Sequence, residues 1–324
     1  MPSNMLTCGI ALCTCNGMAY LQQQLDSLLL QQRLPDQIAI YDDASDDGTS
    51  ALLQDWAEKA PVPVILHRNL MRQGVVKNFE LAVQALRTDL VFLCDQDDVW
   101  LPHKIAAIAK EFESAPDVLL VHTDARLVDA DANELGVSLL RALELTRSER
   151  DRIRRGDAFS ALCRRNLVTG ATAAFRRSLL DAALPFPLSC LHDEWLGVMA
   201  AATGRVVLLE RPTILYRQHS RNVAGMPPPD ARRKLRRIGS LSGDFQSRRA
   251  AHACALLERL QMLPGISRRK LDLVKDALTH ARLRSTLPSG LLARIGVVLR
   301  EAHSGRYRRF SNGFAGVLRD ILNR

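Results

Sequence analysis

The stretch Leu90-Val91-Phe92-Leu93-Cys94-Asp95-Gln96-Asp97-Asp98-Val99-Trp100 decides how this chain is read. Five apolar residues in succession, too few for a helix and followed at once by polar residues, suit a strand buried on both faces of a sheet. That strand delivers three carboxylates within four residues. Like charges so close repel one another unless a cation neutralises them, and hard oxygen ligands suit Mg²⁺ or Mn²⁺ bridging carboxylates to phosphates. The bland alternative is a solvated acidic turn in which Asp98 caps the helix that follows.

Working outward, the same strand, turn and helix pattern recurs. Apolar runs at 6–13, 37–41, 64–67, 90–94 and 118–123 alternate with helical spacing at 19–32, 50–60, 75–86 and 103–112. Alternation of this kind implies parallel strands joined by helical crossovers, with helices on both faces. Ligands then bind beyond the carboxyl ends of the strands.

Two further acidic groups follow. Asp42-Asp43-Ala44-Ser45-Asp46-Asp47-Gly48-Thr49 comes directly after the second strand. Turn chemistry, with Thr49 or Ser50 capping the next helix, accounts for its second half but leaves Asp42 and Asp43 unexplained. A calcium loop is excluded because the twelfth position is Gln54. His192-Asp193-Glu194-Trp195 precedes a helix expected from Glu194, and a strand is expected over 205–209. Asp193 reads equally as that helix's N-cap or as a general base whose pKa is raised by partial burial. His219 is an ordinary histidine unless the sheet carries it to Asp97, where it becomes a metal-ligand candidate.

The 324 residues are 47% hydrophobic and 24% charged, which excludes a disordered or fibrous chain. No apolar run approaches the roughly 18 residues of a membrane span, and no basic segment precedes the first apolar run. The expectation is a cytoplasmic protein whose seven cysteines, without metal or disulfide spacing, are reduced packing residues. The net charge of +9 is uneven: from Asp230 onward there are 21 Lys and Arg against 7 Asp and Glu, leaving −5 before it. Pro227-Pro228-Pro229 marks the change, giving domains 1–226 and 227–324, the second a set of basic helices.

In order along the chain, Thr14-Cys15-Asn16, DDASDDGT, RNLMRQGVVKNF, CDQDDVW, VTGATAAFRR, HDEW and YRQHSRNVAG resemble the motifs of family 2 glycosyltransferases, particularly their bacterial rhamnosyltransferase-like branch. The resemblance covers residues 5 to 226. It implies a GT-A fold, an α/β Rossmann-like arrangement with a mostly parallel sheet and helices on both faces, followed here by the basic C-terminal helical region. It implies a donor site at Thr14, Asn16, Asp42 or Asp43, Gly74, Lys77 and Asp95. It further implies Mg²⁺ or Mn²⁺ on Asp95, Asp97 and His219, and an acceptor or sugar region at Gly170, Ala171, Glu194 and Trp195. The catalytic base falls on Asp193, with Glu194 beside it as the alternative.

The activity so implied is inverting transfer of a sugar from a nucleoside diphosphate, such as dTDP-rhamnose or a UDP-sugar, to a saccharide or lipid-linked acceptor in cell-surface polysaccharide synthesis. Two rivals stay open on the sequence. An apolar strand before Asp95-Gln96-Asp97-Asp98-Val99 also fits the nucleophile motif of haloacid dehalogenase-type phosphatases, although three strands precede it here. The basic clusters Arg232, Arg233, Lys234, Arg236, Arg237 and Arg268, Arg269, Lys270, with Arg306, Arg308 and Arg309, equally suit a nucleic-acid binder. With 5% aromatic residues and no base-reading motif, no specific nucleic acid is expected. The preferred partner is an anionic membrane, met peripherally at the cytoplasmic face of the inner membrane through stretches such as 291–299.

Overall fold

The computed structural model describes residues 5–220, 222 and 243–322. By contact the chain divides into two compact units, Met1–Ala158 with Leu167–Pro228 and Phe159–Asn166 with Pro229–Arg324. The 226/227 boundary, Pro227 to Pro229 and the arginine-rich 232–237 lie outside the described residues. Phe159–Asn166, assigned by sequence to the first domain, clusters with the C-terminal helices. The Lys270 ammonium lies 5.6 Å from the Phe159 ring centre and Arg249 donates to the Cys163 carbonyl at 3.3 Å.

The first unit is built on a nine-stranded sheet. Its strands are β1 (Cys8–Thr14), β2 (Gln37–Asp42), β3 (Val64–Arg68), β4 (Leu90–Cys94), β5 (Val99–Trp100), β6 (Val118–Val128), β7 (Glu134–Ser138), β8 (Ala173–Arg176) and β9 (Arg205–Arg217). The order is β3-β2-β1-β4-β8-β6-β9-β5, with β7 paired to β6. β2 with β3, β1 with β2, β1 with β4 and β6 with β9 are parallel, whereas β8 is antiparallel to both β4 and β6. Six strands therefore run one way and the sheet is mostly parallel. β1 and β4 sit in its middle and are buried at every position, which is why they read as unbroken apolar runs.

The helices are α1 (Leu21–Leu29), α2 (Thr49–Lys59), α3 (Val75–Ala85), α4 (Lys104–Ser114), α5 (Leu139–Ala142), α6 (Arg147–Arg154), α7 (Ala158–Arg164), α8 (Leu179–Ala183) and α9 (His192–Thr203). α1 buries Leu21, Gln24, Leu25 and Leu28, a helical repeat that docks on the sheet. α9 is buried along almost its whole length, and its small residues, Gly197 and Ala200 to Ala202, allow close approach. The second unit holds all of α7 but Ala158, together with α10 (Gly243–Met262), α11 (Arg268–Ser285), α12 (Leu291–His303), α13 (Arg306–Phe310) and α14 (Phe314–Leu322). Among the described residues no helix is long and apolar enough to cross a membrane, and all seven cysteines are free thiols.

Candidate active site

β1 lies between β2 and β4, so the turns leaving their carboxyl ends are forced together. Gln96 fastens two of them: its Oε1 accepts from the Cys15 amide at 2.7 Å and its Nε2 donates to the Cys15 carbonyl at 3.1 Å. Asn16 bridges the first turn to the second, donating its amide to Ser45 Oγ at 2.8 Å while its Oδ1 accepts from the Asp46 amide at 3.0 Å.

In the turn after β2 the carboxylates are well supplied with donors. Asp42, 1% exposed, accepts from Thr14 Oγ1 (2.8 Å), the Ser45 amide (3.1 Å), Ser45 Oγ and Ser50 Oγ (2.7 Å). Four donors use the lone-pair sites of both oxygens. Asp43 accepts from Asn69 Nδ2 (2.8 Å) and the amides of Gln73 (2.6 Å) and Gly74 (2.9 Å), so it organises the loop leading into α3. Its Oδ2 takes only one of those donors. Gly74, at φ +83, adopts a backbone that glycine permits at no steric penalty. Neither Thr49 nor Ser50 caps α2 with its side chain. Gly48 occupies the cap, and the two hydroxyls turn instead to Asp47 and Asp42. Lys77 is half-exposed and paired with buried Glu80.

The turn after β4 is the opposite case. Asp95 receives no hydrogen bond to its side chain from any described residue. Burial, then Asp97 and Asp193, push its pKa up to about 7 against the opposing pull of Lys104. Asp98 is fully buried. Its Oδ1 accepts from the Arg217 amide at 3.0 Å, its Oδ2 has no partner, and burial with the charges of Asp97 and Asp95 drives its pKa far upward. It caps no helix, because the chain first enters β5 and α4 begins only at Lys104. β5 runs antiparallel to β9, pairing Val99 with Leu215 and Trp100 with Ile214. That pairing sets the end of β9 against the acidic turn. Arg217 donates its Nε to the Asp97 carbonyl at 2.7 Å, and His219 Nε2 lies 2.8 Å from Asp97 Oδ2. Tyr20 stacks on His219 at 4.7 Å. The condition attached to His219 is met.

The third group arrives from α9. Asp193 is the second residue of that helix, so it is not the N-cap, which is Leu191. Its oxygens accept from the Gly170 amide at 2.8 Å and the Glu194 amide at 2.7 Å. Burial outweighs these bonds and raises its pKa to about 6. A Cβ at Gly170 would lie 3.0 Å from His192 Nε2, a contact tight enough that the imidazole would have to shift by a few tenths of an ångström. Trp195 is 2% exposed and donates its indole N–H to the Ala183 carbonyl at 2.7 Å. A ring so enclosed has no face left for a sugar, so Trp195 is a packing residue and not an acceptor contact. Glu194 is only partly buried on the same turn.

Two site residues had no assigned role in the sequence reading. Lys104 is completely buried, donates to the Ala171 carbonyl at 2.5 Å and lies 3.7 Å from the Trp100 ring centre. Burial lowers its pKa to about 7, opposed by Cys94, Asp98 and Asp95. The one-turn segment Gly170–Thr172 is thus held at one carbonyl by Lys104 and at one amide by Asp193. The other is His192, which is 5% exposed with neither ring nitrogen hydrogen-bonded, stacked at 3.8 Å on Phe79. Burial brings its pKa down to about 3, so the ring is neutral.

Among the described residues no three His, Cys, Asp or Glu side chains gather closely enough to enclose a metal ion unaided. The donor set still fits a hard divalent cation of the Mg²⁺ kind, which takes one or two carboxylates and completes its shell with water and substrate phosphates. Asp97, within 2.8 Å of His219 Nε2, and the crowded Asp95 beside it are donors of that chemical kind.

A mostly parallel α/β sheet with acidic turns at the tips of the two strands that flank β1 has the architecture of GT-A glycosyltransferases. Staphylococcus aureus TarS (residues 1–349) in complex with UDP-GlcNAc superposes with a TM-score of 0.61 at 14% identity, covering 96% of this chain and 90% of that one. The Pyrobaculum calidifontis mannosyltransferase PcManGT, solved with GDP-Man and Mn²⁺, gives 0.52 at 18% identity, covering 99% and 87%. Residues 10–183 match the family model described as Glycosyl transferase family 2, and the chain belongs to that family. Among curated relatives, dTDP-rhamnosyl transferase RfbG of Shigella flexneri is 25% identical over 65% of this chain and 73% of its own length. An uncharacterized Mycobacterium tuberculosis protein is 26% identical over 64% of this chain, and the match spans 58% of that protein's length. Family membership decides against the phosphatase reading of Asp95, which here leaves the fourth strand of the chain.

Proposed function

We propose that the protein is an inverting, metal-dependent glycosyltransferase that moves a sugar from a nucleoside diphosphate to a saccharide or lipid-linked acceptor in cell-surface polysaccharide synthesis. The observation that carries this is the meeting of Asp95 and Asp97, Asp193 and His219, from three distant stretches of chain, in one electrostatic neighbourhood. The similarity to RfbG favours dTDP-rhamnose among donors, with a UDP-sugar as the second choice.

Asp43, with one acceptor site unfilled, is the better of the two aspartates for a ribose hydroxyl, while Asp42 holds the turn that presents it. Asp95, Asp97 and His219 would hold Mg²⁺ or Mn²⁺, which when bound neutralises the departing diphosphate. Asp193 takes the proton from the acceptor hydroxyl. A carboxylate with pKa near 6 is largely ionised at neutral pH, yet basic enough to accept a proton in the transition state. The two amides on its oxygens fix the direction of its lone pairs, and Lys104 keeps the segment supplying one of them in place. Attack on the face opposite the leaving group inverts the anomeric centre.

The test is a screen of nucleotide sugars for Mn²⁺- or Mg²⁺-dependent hydrolysis and thermal stabilisation, repeated on Asp193→Asn. The expected result is retained donor binding with transfer reduced about 10²- to 10⁴-fold. Substantial turnover by Asp193→Asn removes the base assignment, and failure of every nucleotide sugar to bind removes the transferase reading.

A further inference from the structure

α12 and α14 of the second unit carry a surface that the reaction does not use. α12 exposes Leu291 (52%), Leu292 (86%) and Leu299 (54%), the last two on the same side, two turns apart. α14 exposes Phe314 (80%), Leu318 (46%) and Leu322 (67%) at successive intervals of four, again one side of a helix. The packed faces of these helices are made by other residues, namely Arg294, Val298 and Glu301 in α12 and Gly316 and Asp320 in α14. α12 packs on α14, so the six apolar side chains belong to two adjoining helices and are not scattered singly as on an ordinary surface.

These helices are held from beneath by a buried polar network. His280 of α11 lies 2.8 Å from Glu301 and 2.9 Å from Ser311 Oγ, and Arg284 donates to Ser311 Oγ at 3.0 Å and to Asp320. Tyr307 donates to Asp320 at 2.6 Å and Arg306 to Glu301 at 2.8 Å. The network has an electrostatic consequence. Residues 288–322 contain six arginines and two acids, and both acids, Glu301 (2% exposed) and Asp320 (8%), are buried within it. Arg300 and Arg308 are exposed, while Arg309 and Arg306 reach Asp276 of α11. No exposed carboxylate of this segment accompanies the apolar stripes.

A second copy docking here would bring arginine against arginine, and a nucleic acid would leave the leucines and Phe314 without a partner. An anionic phospholipid surface accepts both halves, apolar side chains at the acyl boundary and guanidinium groups on phosphates. We infer that α12 and α14 form an interfacial anchor for anionic lipid bilayers, with Leu292, Leu299, Phe314, Leu318 and Leu322 inserted and Arg300 and Arg308 at the headgroups. This rests on the second unit alone and is independent of the sugar chemistry proposed for the first.

The full chain is sedimented with vesicles of phosphatidylcholine alone and of phosphatidylcholine mixed equally with phosphatidylglycerol. It binds the anionic vesicles only, and less as salt rises. The triple variant Leu292→Ser, Phe314→Ser, Leu318→Ser binds about tenfold or more weakly, and each of Arg300→Gln and Arg308→Gln about fivefold. Leu70→Ser, at an equally exposed leucine of the first unit, leaves binding unchanged. All substituted positions are exposed, and unchanged far-ultraviolet circular dichroism melts verify the fold. Absence of binding to anionic vesicles, or full binding by the triple variant, overturns the inference. So does a concentration-dependent dimer that the triple variant dissolves, which assigns the stripes to a second copy.

Discussion

Two acidic turns leave the strands that flank β1 in the same sheet, and they are built on opposite principles. After β2, Asp42 and Asp43 collect seven hydrogen bonds between them from hydroxyls, an amide side chain and backbone N–H groups. After β4, Asp95 collects none from the described residues, Asp98 has one oxygen without a partner, and both pKa values are pushed up. A carboxylate surrounded by donors is part of the scaffold. A carboxylate buried beside its own kind is destabilising by itself and persists where a cationic ligand makes use of it. The counts of aspartate are similar in the two turns, so the distinction lies in the donors that the rest of the fold brings.

The sharpest way to break this comparison is to neutralise one aspartate in each turn. Asp42→Ala leaves the hydroxyls of Thr14, Ser45 and Ser50 without their shared acceptor, and it should destabilise the fold by about 2–4 kcal/mol in urea titration. Asp98→Asn should do the reverse. The amide oxygen can still accept from the Arg217 N–H while the repelled charge is gone, so stability should rise by about 1–2 kcal/mol while transfer activity falls. If both substitutions destabilise alike, the division into scaffold and ligand turns is wrong.

Asp193 combines the two designs, with two backbone donors and a pKa still raised. Only its ionised form accepts a proton. Provided chemistry limits the rate, kcat/KM should hold above about pH 6 and fall roughly tenfold per unit below it. A flat profile between pH 5 and 7 would remove Asp193 as the titrating base.

Much of this was legible beforehand, and the rest was hidden for physical reasons. β1, β2 and β4 are short, largely buried strands that announce themselves as apolar runs, and the edge strand β3 still opens on three apolar residues. β5 has two residues and β8 four, and the second half of β9 follows Glu210-Arg211-Pro212, which reads as a break; none carries a periodic signal. Yet β5 and the end of β9 are what deliver His219 to Asp97, so that pairing was only conditional on the sequence. Lys104 was overlooked although a sign was present: it falls in register with Ile108 and Phe112 on the apolar face of α4. A charged residue on a buried stripe has a partner to find, and here it is the Ala171 carbonyl. The supply of donors to Asp42 and Asp43 comes from six other residues as far away as Gly74, which no local pattern reveals.

The smallest effect tests whether the contrast extends to the rim of the first turn. Asp47 is exposed. Partial burial works against its charge, but bonds from Thr49 Oγ1 (2.6 Å), the Thr49 amide and the Met18 amide (3.1 Å) prevail and hold its pKa below the ordinary value. A carboxylate with a lowered folded pKa stabilises above its unfolded value, roughly 3.9, and loses that contribution as pH falls through the folded one. Solvent screening keeps it under about 1 kcal/mol. Asp47→Asn should therefore be slightly less stable than the wild type at neutral pH and indistinguishable from it in acid. For Asp98 the sign is reversed. Its folded pKa lies above the unfolded one, so wild-type stability declines as pH rises past roughly 4. The advantage of Asp98→Asn should grow from near zero in acid toward neutrality. Chemical denaturation of the two variants across that range should give differences from wild type that both widen toward neutral pH and carry opposite signs. Two curves of the same sign would show that donor supply is not what separates these turns.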